Sequence, residues 1–345
     1  MKTFRGVAAA TIGAASVVIA LGGISLHAQP PGNAATPGNA AAQGSAPAAA
    51  SGTGVETLRV QGNVYLIAGA GGNIAVQVGP DGVVVVDTGS GAQTPAVLAA
   101  IKTLSDQPIR FVVNTGGAAD HVGGNEAIAK AGRPLSGGGM FSNTGVPIFA
   151  NEDLLGRMSA PTGQQSPYPV AAWPTDTYLD KMNMYLNAEA IQMVHQPAAH
   201  SDGDSTVFFR RSDVVVTGDI FDPTRFPVID VAHGGSIQGE IAALNRLVDL
   251  AVPPTPLTWQ DGGTRVIPGH GRICEQAELV EYRDMVTIIR DVIQDLIAKK
   301  MTLAQVQAAA PTKGYTKQYG ATTGSWTTAQ FVEAVYQSLT TPPKP

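Results

Sequence analysis

Short apolar runs separated by glycine-rich turns open the body of the chain. They cover residues 63–67, 74–78 and 83–86. Apolar and polar positions that alternate between glycine or proline turns are typical of antiparallel β-strands. The third run, Val83 to Val86, is apolar on both faces, which predicts a strand in the centre of a sheet.

Helical spacing of apolar residues follows these strands. Thr94 is the predicted N-cap of a helix whose first residue is Pro95, after which apolar residues recur on one helical face. A strand over residues 111–113 comes next, followed by a helix that begins at residues 124–126 and by a helix capped by Asn151.

The second half of the chain repeats this order. A strand pair over residues 206–210 and 214–217 precedes a helix capped by Ser236, and a strand over 265–267 precedes a long amphipathic helix over 279–296. Two halves of strands followed by helices predict an α/β fold in the form of an αβ/βα four-layer sandwich. In it, two mixed β-sheets pack face to face with helices outside.

The first residues have the pattern of a signal peptide. Lys2 and Arg5 precede an uncharged stretch that ends at Ala28 in a small-residue site, so we expect residues 1–28 to be a secretory leader and the protein to be periplasmic or secreted. An uncleaved membrane anchor is the alternative. Glycines that interrupt the apolar run favour the signal peptide.

Three segments follow the predicted leader. Residues 29–54 carry no charge and no aromatic ring, which predicts a disordered Ala/Gly/Pro linker. Residues 55–300 are expected to form the main domain, and residues 301–345 a C-terminal helical extension packed on it.

Net charge limits the kinds of molecule that the protein is expected to bind. The 22 basic and 27 acidic residues give 22 − 27 = −5, and removal of the leader's two cations gives 20 − 27 = −7. With no basic stripe, nucleic acid is excluded, and no stable membrane association is expected after leader cleavage. The expected partner is a small-molecule substrate.

A single cysteine restricts the choice of metal ligands. Cys274 has no partner for a disulfide, and we expect an inert thiol. Any metal must therefore bind to histidine, aspartate or glutamate. Such residues follow several predicted strands, and residues at strand ends can converge on one cleft: Asp120, His121, His200, Asp204, Asp219 and His270.

One of these segments carries a family resemblance. Residues 114–125, NTGGAADHVGGN, resemble the His-x-His-x-Asp-His loop of the metallo-β-lactamase superfamily. The match extends to four other segments in the family's order, so that the resemblance covers roughly residues 55 to 300 and implies the metallo-β-lactamase fold: residues 85–89, 199–205, 217–219 and 268–271.

The chain departs from the family at the first metal site. Gly116 and Ala118 stand where the resemblance places two histidine ligands, and neither side chain can donate to a metal. The first site keeps only His200, a possible ligand. The resemblance implies that the second site keeps its ligands, with Asp219 at the bridging position: Asp120, His121, Asp219 and His270.

Charge favours one ion. The carboxylates of Asp120 and Asp219 balance one divalent cation, whereas a second cation would be uncompensated in a partly desolvated cleft. Zinc is expected, with iron or manganese as alternatives. Catalysis also needs an open position for water, from five-coordination or from a loosely held Asp219.

We therefore expect an exported hydrolase, mononuclear at the second site, that uses metal-bound water to cleave an ester, thioester, lactone or β-lactam. Asp120 and His200 are the expected catalytic residues, because they are positioned to move protons. An aspartate at Asp219 resembles the glyoxalase II and lactonase branches, which ranks ester, thioester or lactone cleavage above β-lactam cleavage. The alternative is a non-catalytic ligand-binding protein with a degenerate metal site.

Simpler roles remain open for several residues. Asp120 has the alternative of a helix cap, and Asp219 that of a turn former. In the absence of metal, His200 and His270 have the alternative of hydrogen-bonding to Asp204 or Asp219.

Three further residues are expected around the centre. Asp87 is predicted to bond local amides near Thr88 and Gly89, beside the ligands rather than on the metal. Asp204 is expected to support the ligands. His233 is expected at the surface or rim, where it lines the mouth of the cleft or replaces a missing ligand, and His195 is also expected at the surface or rim.

Overall fold

The computed structural model describes residues 54–135, 145–160, 164–255 and 262–341. The predicted leader, and all but the last residue of the predicted linker, lie outside the described residues. Within the described ranges, no helix is both long and apolar enough to cross a membrane.

The first sheet has seven strands in sequence order. Its strands are β1 Glu56–Gln61, β2 Val64–Ala70, β3 Gly72–Gly79, β4 Gly82–Val86, β5 Ile109–Val113, β6 Ile148–Asn151 and β7 Asp176–Tyr178. Strands β1 to β4 pair antiparallel, and β4 to β7 pair parallel. All five residues of β4 are buried, which confirms the central strand expected there.

The second sheet has five strands in the order β12-β11-β10-β9-β8. Its strands are β8 Lys181–Leu186, β9 Glu189–His195, β10 Ser205–Phe209, β11 Val214–Gly218 and β12 Arg265–Pro268. Strands β8 to β11 pair antiparallel, and β11 pairs parallel with β12. Both sheets are therefore mixed.

Helices connect and cover the strands. They are α1 Thr94–Leu104, α2 Ala119–Val122, α3 Asn125–Ala131, α4 Glu152–Ser159, α5 Ile237–Leu250, α6 Gln276–Ala298, α7 Leu303–Ala308, α8 Thr316–Tyr319 and α9 Thr328–Thr340. Asn151 accepts a hydrogen bond from the Asp153 amide, and Ser236 accepts one from the Gly239 amide, so these two predicted caps are confirmed. The predicted cap at Thr94 is wrong, because Gln93 occupies the N-cap position of α1 and Thr94 is already its first helical residue.

Three apolar clusters define the layers. One lies between the sheets and includes Val86, Val207 and Ile267. A second packs α1 and α3 on the outer face of the first sheet, and a third packs α5, α6 and α9 on the outer face of the second. The αβ/βα four-layer sandwich is confirmed. Within the extension predicted to begin at residue 301, α9 packs on α5 and α6.

Polar contacts join the two sheets at one end. Asn73 donates from its side-chain amide to the carbonyls of Pro268 (2.9 Å) and Gly271 (3.0 Å). The Ser205 amide donates to the Thr115 carbonyl at 2.7 Å. These contacts hold β3 against the loop that follows β12, and the start of β10 against the loop that follows β5.

A carboxyl group is buried behind this edge. Glu240, on α5, is 0% exposed, and neither of its carboxyl oxygens has a hydrogen-bond partner among the described residues. Burial raises its pKa well above the ordinary 4.5, and the negative charges of Asp204 and Asp219 raise it further. The folded chain therefore holds this proton more tightly than the unfolded chain.

We predict that Glu240→Gln flattens the dependence of stability on pH. The folded pKa is raised, so the contribution of Glu240 is fully present below the unfolded pKa near 4.5 and is lost as pH rises towards the folded pKa. Urea unfolding from pH 4 to pH 8 measures the free energy of unfolding of both proteins. Their difference should change across this range, whereas exposed Glu56→Gln should leave the wild-type curve unchanged; a constant difference for Glu240→Gln would contradict the prediction.

Candidate metal centre

The candidate ligands come from the ends of three strands. Asp120 and His121 lie on α2, in the loop after β5. Asp219 directly follows β11, and His270 lies two residues after the end of β12. Strand ends from both sheets thus deliver the side chains to one edge of the sandwich.

The structure brings these four side chains together. The Nε2 atom of His121 lies 3.2 Å from Oδ1 of Asp219. The Nε2 atom of His270 lies 3.2 Å from Oδ2 of Asp120 and 3.5 Å from Oδ1 of Asp219. Asp120, His121 and His270 each offer a ligand atom within 4.8 Å of the others, while Asp219 joins through its contacts with both imidazoles.

Two glycines permit this close approach. A Cβ atom at Gly72 would lie 2.8 Å from the Asp120 carbonyl oxygen and 3.3 Å from Nε2 of His121. A Cβ atom at Gly269 would lie 2.6 Å from Oδ1 of Asp219. Neither position tolerates a larger residue without displacing a candidate ligand.

The Asp87 carboxylate has other hydrogen-bond partners than the sequence predicts. Its carboxylate accepts hydrogen bonds from the Thr115 amide at 2.8 Å and the Thr115 hydroxyl at 2.6 Å, and its Oδ2 lies 2.7 Å from Nδ1 of His121. The expected local bonding to Thr88 and Gly89 is wrong, because the parallel pairing of β4 and β5 presents the Asn114–Thr115 turn to this carboxylate. Asp87 thereby fixes the His121 ring with Nε2 directed towards Asp219.

The centre strongly favours positive charge. Burial opposes protonation of His121, but the carboxylates of Asp219 and Asp87 outweigh it and raise its pKa well above the ordinary value. Burial likewise opposes ionisation of Asp219, but His121 and then His270 hold its pKa well below the ordinary value. Hydrogen bonds to Asp120 and Asp219 raise the pKa of His270 to about 9. The hydrogen bond from His270 lowers the pKa of Asp120.

The capping alternative for Asp120 fails. The short helix α2 has Ala118 at its N-cap position and no side-chain capping bond, and the Asp120 carboxylate contacts His270 instead. Asp219 likewise contacts the two imidazoles rather than local amides. His200 contacts Asp204, and His270 contacts Asp219, as expected if these histidines are hydrogen-bonded cleft residues. The same contacts are compatible with a role as metal ligands.

His200 lies beside the four-residue cluster. Its Nδ1 atom is 3.5 Å from Oδ1 of Asp204, and its charge acts on Asp219. Burial opposes its protonation, but Asp204 raises its pKa. A Cβ atom at Gly116 would meet only Oδ1 of Asp204, at 3.4 Å, so the backbone leaves room for a side chain at the vacated position.

The remaining predicted residues lie apart from the cluster. Nε2 of His195 lies 2.6 Å from the Asp202 carbonyl oxygen. His233 is exposed, and its Nδ1 lies 2.6 Å from Oδ2 of Asp230, so it does not replace a missing ligand. Cys274 is buried, and burial raises its pKa to about 12, which suits an inert thiol.

Sequence reasoning missed Tyr168 and Glu240. The Tyr168 hydroxyl donates to the Gly117 carbonyl at 3.0 Å, in the loop that lost two histidines. Burial and then the charge of Asp120 raise its pKa. No motif marks Tyr168, and Glu240 has the spacing of an ordinary first-turn helix residue. Only tertiary contacts identify them.

Comparisons with known proteins agree with this architecture. The model of a family described as the metallo-beta-lactamase superfamily matches residues 58–258. A curated linear primary-alkylsulfatase from Pseudomonas sp. (strain ATCC 19151) is 22% identical over 251 residues, which cover 61% of this chain and 44% of the relative.

Solved structures of metallo-beta-lactamase and alkylsulfatase proteins have a similar fold. A stereoselective inverting sec-alkylsulfatase from Pseudomonas sp. has a TM-score of 0.59 at 16% identity, covering 82% of this chain and 50% of the other. A metallo-beta-lactamase from Pontibacter korlensis has a TM-score of 0.50 at 18% identity, covering 68% of this chain and 99% of the other. The chain spans about half the length of these alkylsulfatases, and the structural likeness shows the fold.

We predict that Asp87→Asn weakens metal binding by about 10- to 100-fold, because a carboxylate that orients a ligand histidine contributes on this scale. The substitution keeps the size of the side chain but removes the charge beside Nδ1 of His121. Competition with a chromogenic zinc chelator measures the affinity. Asp106→Asn, at an exposed site, is the matched control. Equal affinities for the two variants would rule out this role for Asp87.

Proposed function

The chain belongs to the metallo-beta-lactamase superfamily, and we propose that it is an exported hydrolase holding one zinc ion on Asp120, His121, Asp219 and His270. The proposed substrate is an ester, thioester or lactone, with β-lactams ranked below. The observation that carries the proposal is the convergence of two imidazoles and two carboxylates at contacts of 3.2 to 3.5 Å.

The donor set fits a divalent ion. Nitrogen from imidazole and oxygen from carboxylate are common zinc ligands. The arrangement of His121 between Asp87 and the cluster is that of a metal-bound histidine whose second nitrogen donates to a carboxylate. The raised pKa values of His121 and His270 also mark a place where positive charge is stabilised. Two ligand carboxylates neutralise one divalent ion, which supports a single occupancy.

Chemistry at this centre combines a metal with proton transfer by side chains. A divalent ion bound there supplies Lewis acidity and lowers the pKa of a coordinated water. Asp120 is placed to accept a proton, because its carboxylate faces the cluster and stays ionised. His200, held by Asp204, is placed to deliver a proton to a leaving group.

The relatives add one substrate class for testing. The matched curated relative is named a linear primary-alkylsulfatase, so a linear alkyl sulfate belongs in the substrate panel beside esters and lactones. Because this chain spans 44% of that relative, its activity is a proposal for this chain.

A non-catalytic binding protein is the second candidate. Gly116 and Ala118 favour it, because they vacate two ligand positions and leave His200 paired with Asp204. No turnover across the panel, together with a ligand-dependent rise in Tm, would favour this candidate over the hydrolase.

Metal content tests the hydrolase. We predict about one equivalent of zinc in protein purified without added ions, since four ligands form one site. Asp120→Ala should lose both the metal and the activity, whereas exposed Asp106→Ala should keep both. Elemental analysis and a panel of aryl esters, thioesters, lactones, a β-lactam and a linear alkyl sulfate are the measurements. Activity that survives complete removal of metal would reject the mechanism.

Restoring the vacated ligands tests the degenerate site. We predict that Gly116→His with Ala118→His raises metal content to about two equivalents, because three imidazoles then surround the first site. The room at Gly116 beside Asp204 makes this variant feasible. The control is Gly116→Ala, which adds a Cβ atom at the same position without a metal ligand. Unchanged metal content in a folded double variant would show that the inferred site geometry is wrong.

Export is part of the proposal. It is supported by Lys2, Arg5 and the uncharged stretch that ends at Ala28. Expression of the full chain in a Gram-negative host, followed by fractionation and N-terminal sequencing, should give periplasmic protein that begins near residue 29. Full-length protein in the membrane fraction would indicate the uncleaved anchor instead.

A further inference from the structure

A cavity outside the four-ligand cluster has walls of defined chemistry. Its volume is about 330 Å³, within the range of small-molecule sites. His200 forms part of one wall, the segment Val228–Ala232 another, and the C-terminal helix α9 with Trp326 the third. Through His200, the cavity adjoins the candidate centre.

Two carboxylates are among the polar groups that line the cavity. Asp230 and Glu333 line it, and no lysine or arginine is among its lining residues. His200 adds no net positive charge, because it is paired with Asp204. His233 sits against Oδ2 of Asp230, but the only contact described for Glu333 is a hydrogen bond at 3.1 Å from the neutral amide of Gln337. The charge of Glu333 therefore has no cationic partner among the described residues.

The apolar groups complement this charge. Trp326 lines the cavity together with Val228, Val231 and Ala334. An indole ring and carboxylates on the walls of one cavity make a favourable environment for an ammonium group, since the face of an indole ring attracts cations and the methyl groups of a quaternary ammonium pack on apolar side chains. An anionic group would meet two carboxylates with no compensating cation.

We propose that this cavity is a binding subsite for an ammonium-bearing group, with Glu333 and Trp326 as its specificity determinants. The evidence for the subsite is the chemistry of the residues that line the cavity, and it does not depend on the proposed reaction. Its catalytic consequence rests on the proposed function: the substrate carries a cationic group on the part that extends past His200. An uncharged group of the same shape binds more weakly, and an anionic one more weakly still.

Two isosteric probes and an anion of similar size separate charge from shape. They are choline, 3,3-dimethylbutan-1-ol and 3,3-dimethylbutyrate, and saturation-transfer NMR on the metal-loaded full chain measures their affinities. Choline should bind about three- to tenfold more tightly than the alcohol, the scale of one partly buried charge contact. The alcohol should bind more tightly than the carboxylate.

Variants of Glu333 locate the effect. Glu333→Gln should remove the preference for choline and leave affinity for the alcohol unchanged, and Glu333→Lys should reverse the order of choline and the carboxylate. Glu56→Lys, an exposed glutamate outside the cavity, carries the same change of charge and should leave the order intact. Choline binding no tighter than the alcohol, or the same order in Glu333→Lys, would overturn the subsite.

Turnover distinguishes the subsite from the proposed reaction. If both hold, the acetate ester of choline has a higher kcat/KM than that of 3,3-dimethylbutanol, and Glu333→Gln removes the difference. Choline binding that depends on Glu333, without hydrolysis of either ester or of the panel above, would reject the proposed hydrolase and support the subsite. Hydrolysis, with choline binding and turnover both independent of Glu333, would support the hydrolase and reject the subsite.

Discussion

A histidine buried between two carboxylates organises this molecule. His121 is 1% exposed, and its two nitrogens face Asp87 and Asp219, one from each sheet's set of strand ends. Charged groups leave water only where they are paired, so this arrangement requires the edges of both sheets to meet. The contacts of Asn73 and the Ser205 amide across the same edge satisfy that requirement. The four-layer packing and the candidate centre are therefore one structural feature.

Local patterns predicted most of the fold. The buried run Val83–Val86, the capping side chains of Asn151 and Ser236 and the long helix α6 are readable because each depends on neighbours in sequence. The centre was located by residue type and resemblance at strand ends. The partners of Asp87 were not readable, since Thr115 and His121 lie 28 and 34 residues further along the chain. Such contacts arise from strand pairing, which leaves no local signal.

His200 keeps polar contacts although Gly116 and Ala118 offer no ligand beside it. His200 still meets Asp204, and the Ser201 hydroxyl donates to the same carboxylate at 2.8 Å. Tyr168 holds the Gly117 carbonyl in the altered loop. A largely buried imidazole needs a polar partner, and His200 has one in Asp204. This contact gives His200 a defined orientation, and the ring forms part of the wall of the neighbouring cavity.

The C-terminal helix α9 contributes both to the apolar core and to the cavity wall. One side of α9 contributes Phe331 and Val335 to the apolar layer outside the second sheet, where Phe331 stacks on Phe226 at 4.8 Å between ring centroids. Gln330, Glu333 and Gln337 line the cavity. Residues spaced three and four apart share a helix face, so burial of one face fixes the position of the other. Core packing of α9 therefore fixes the position of Glu333, which lowers the ordering cost of binding at this wall of the cavity.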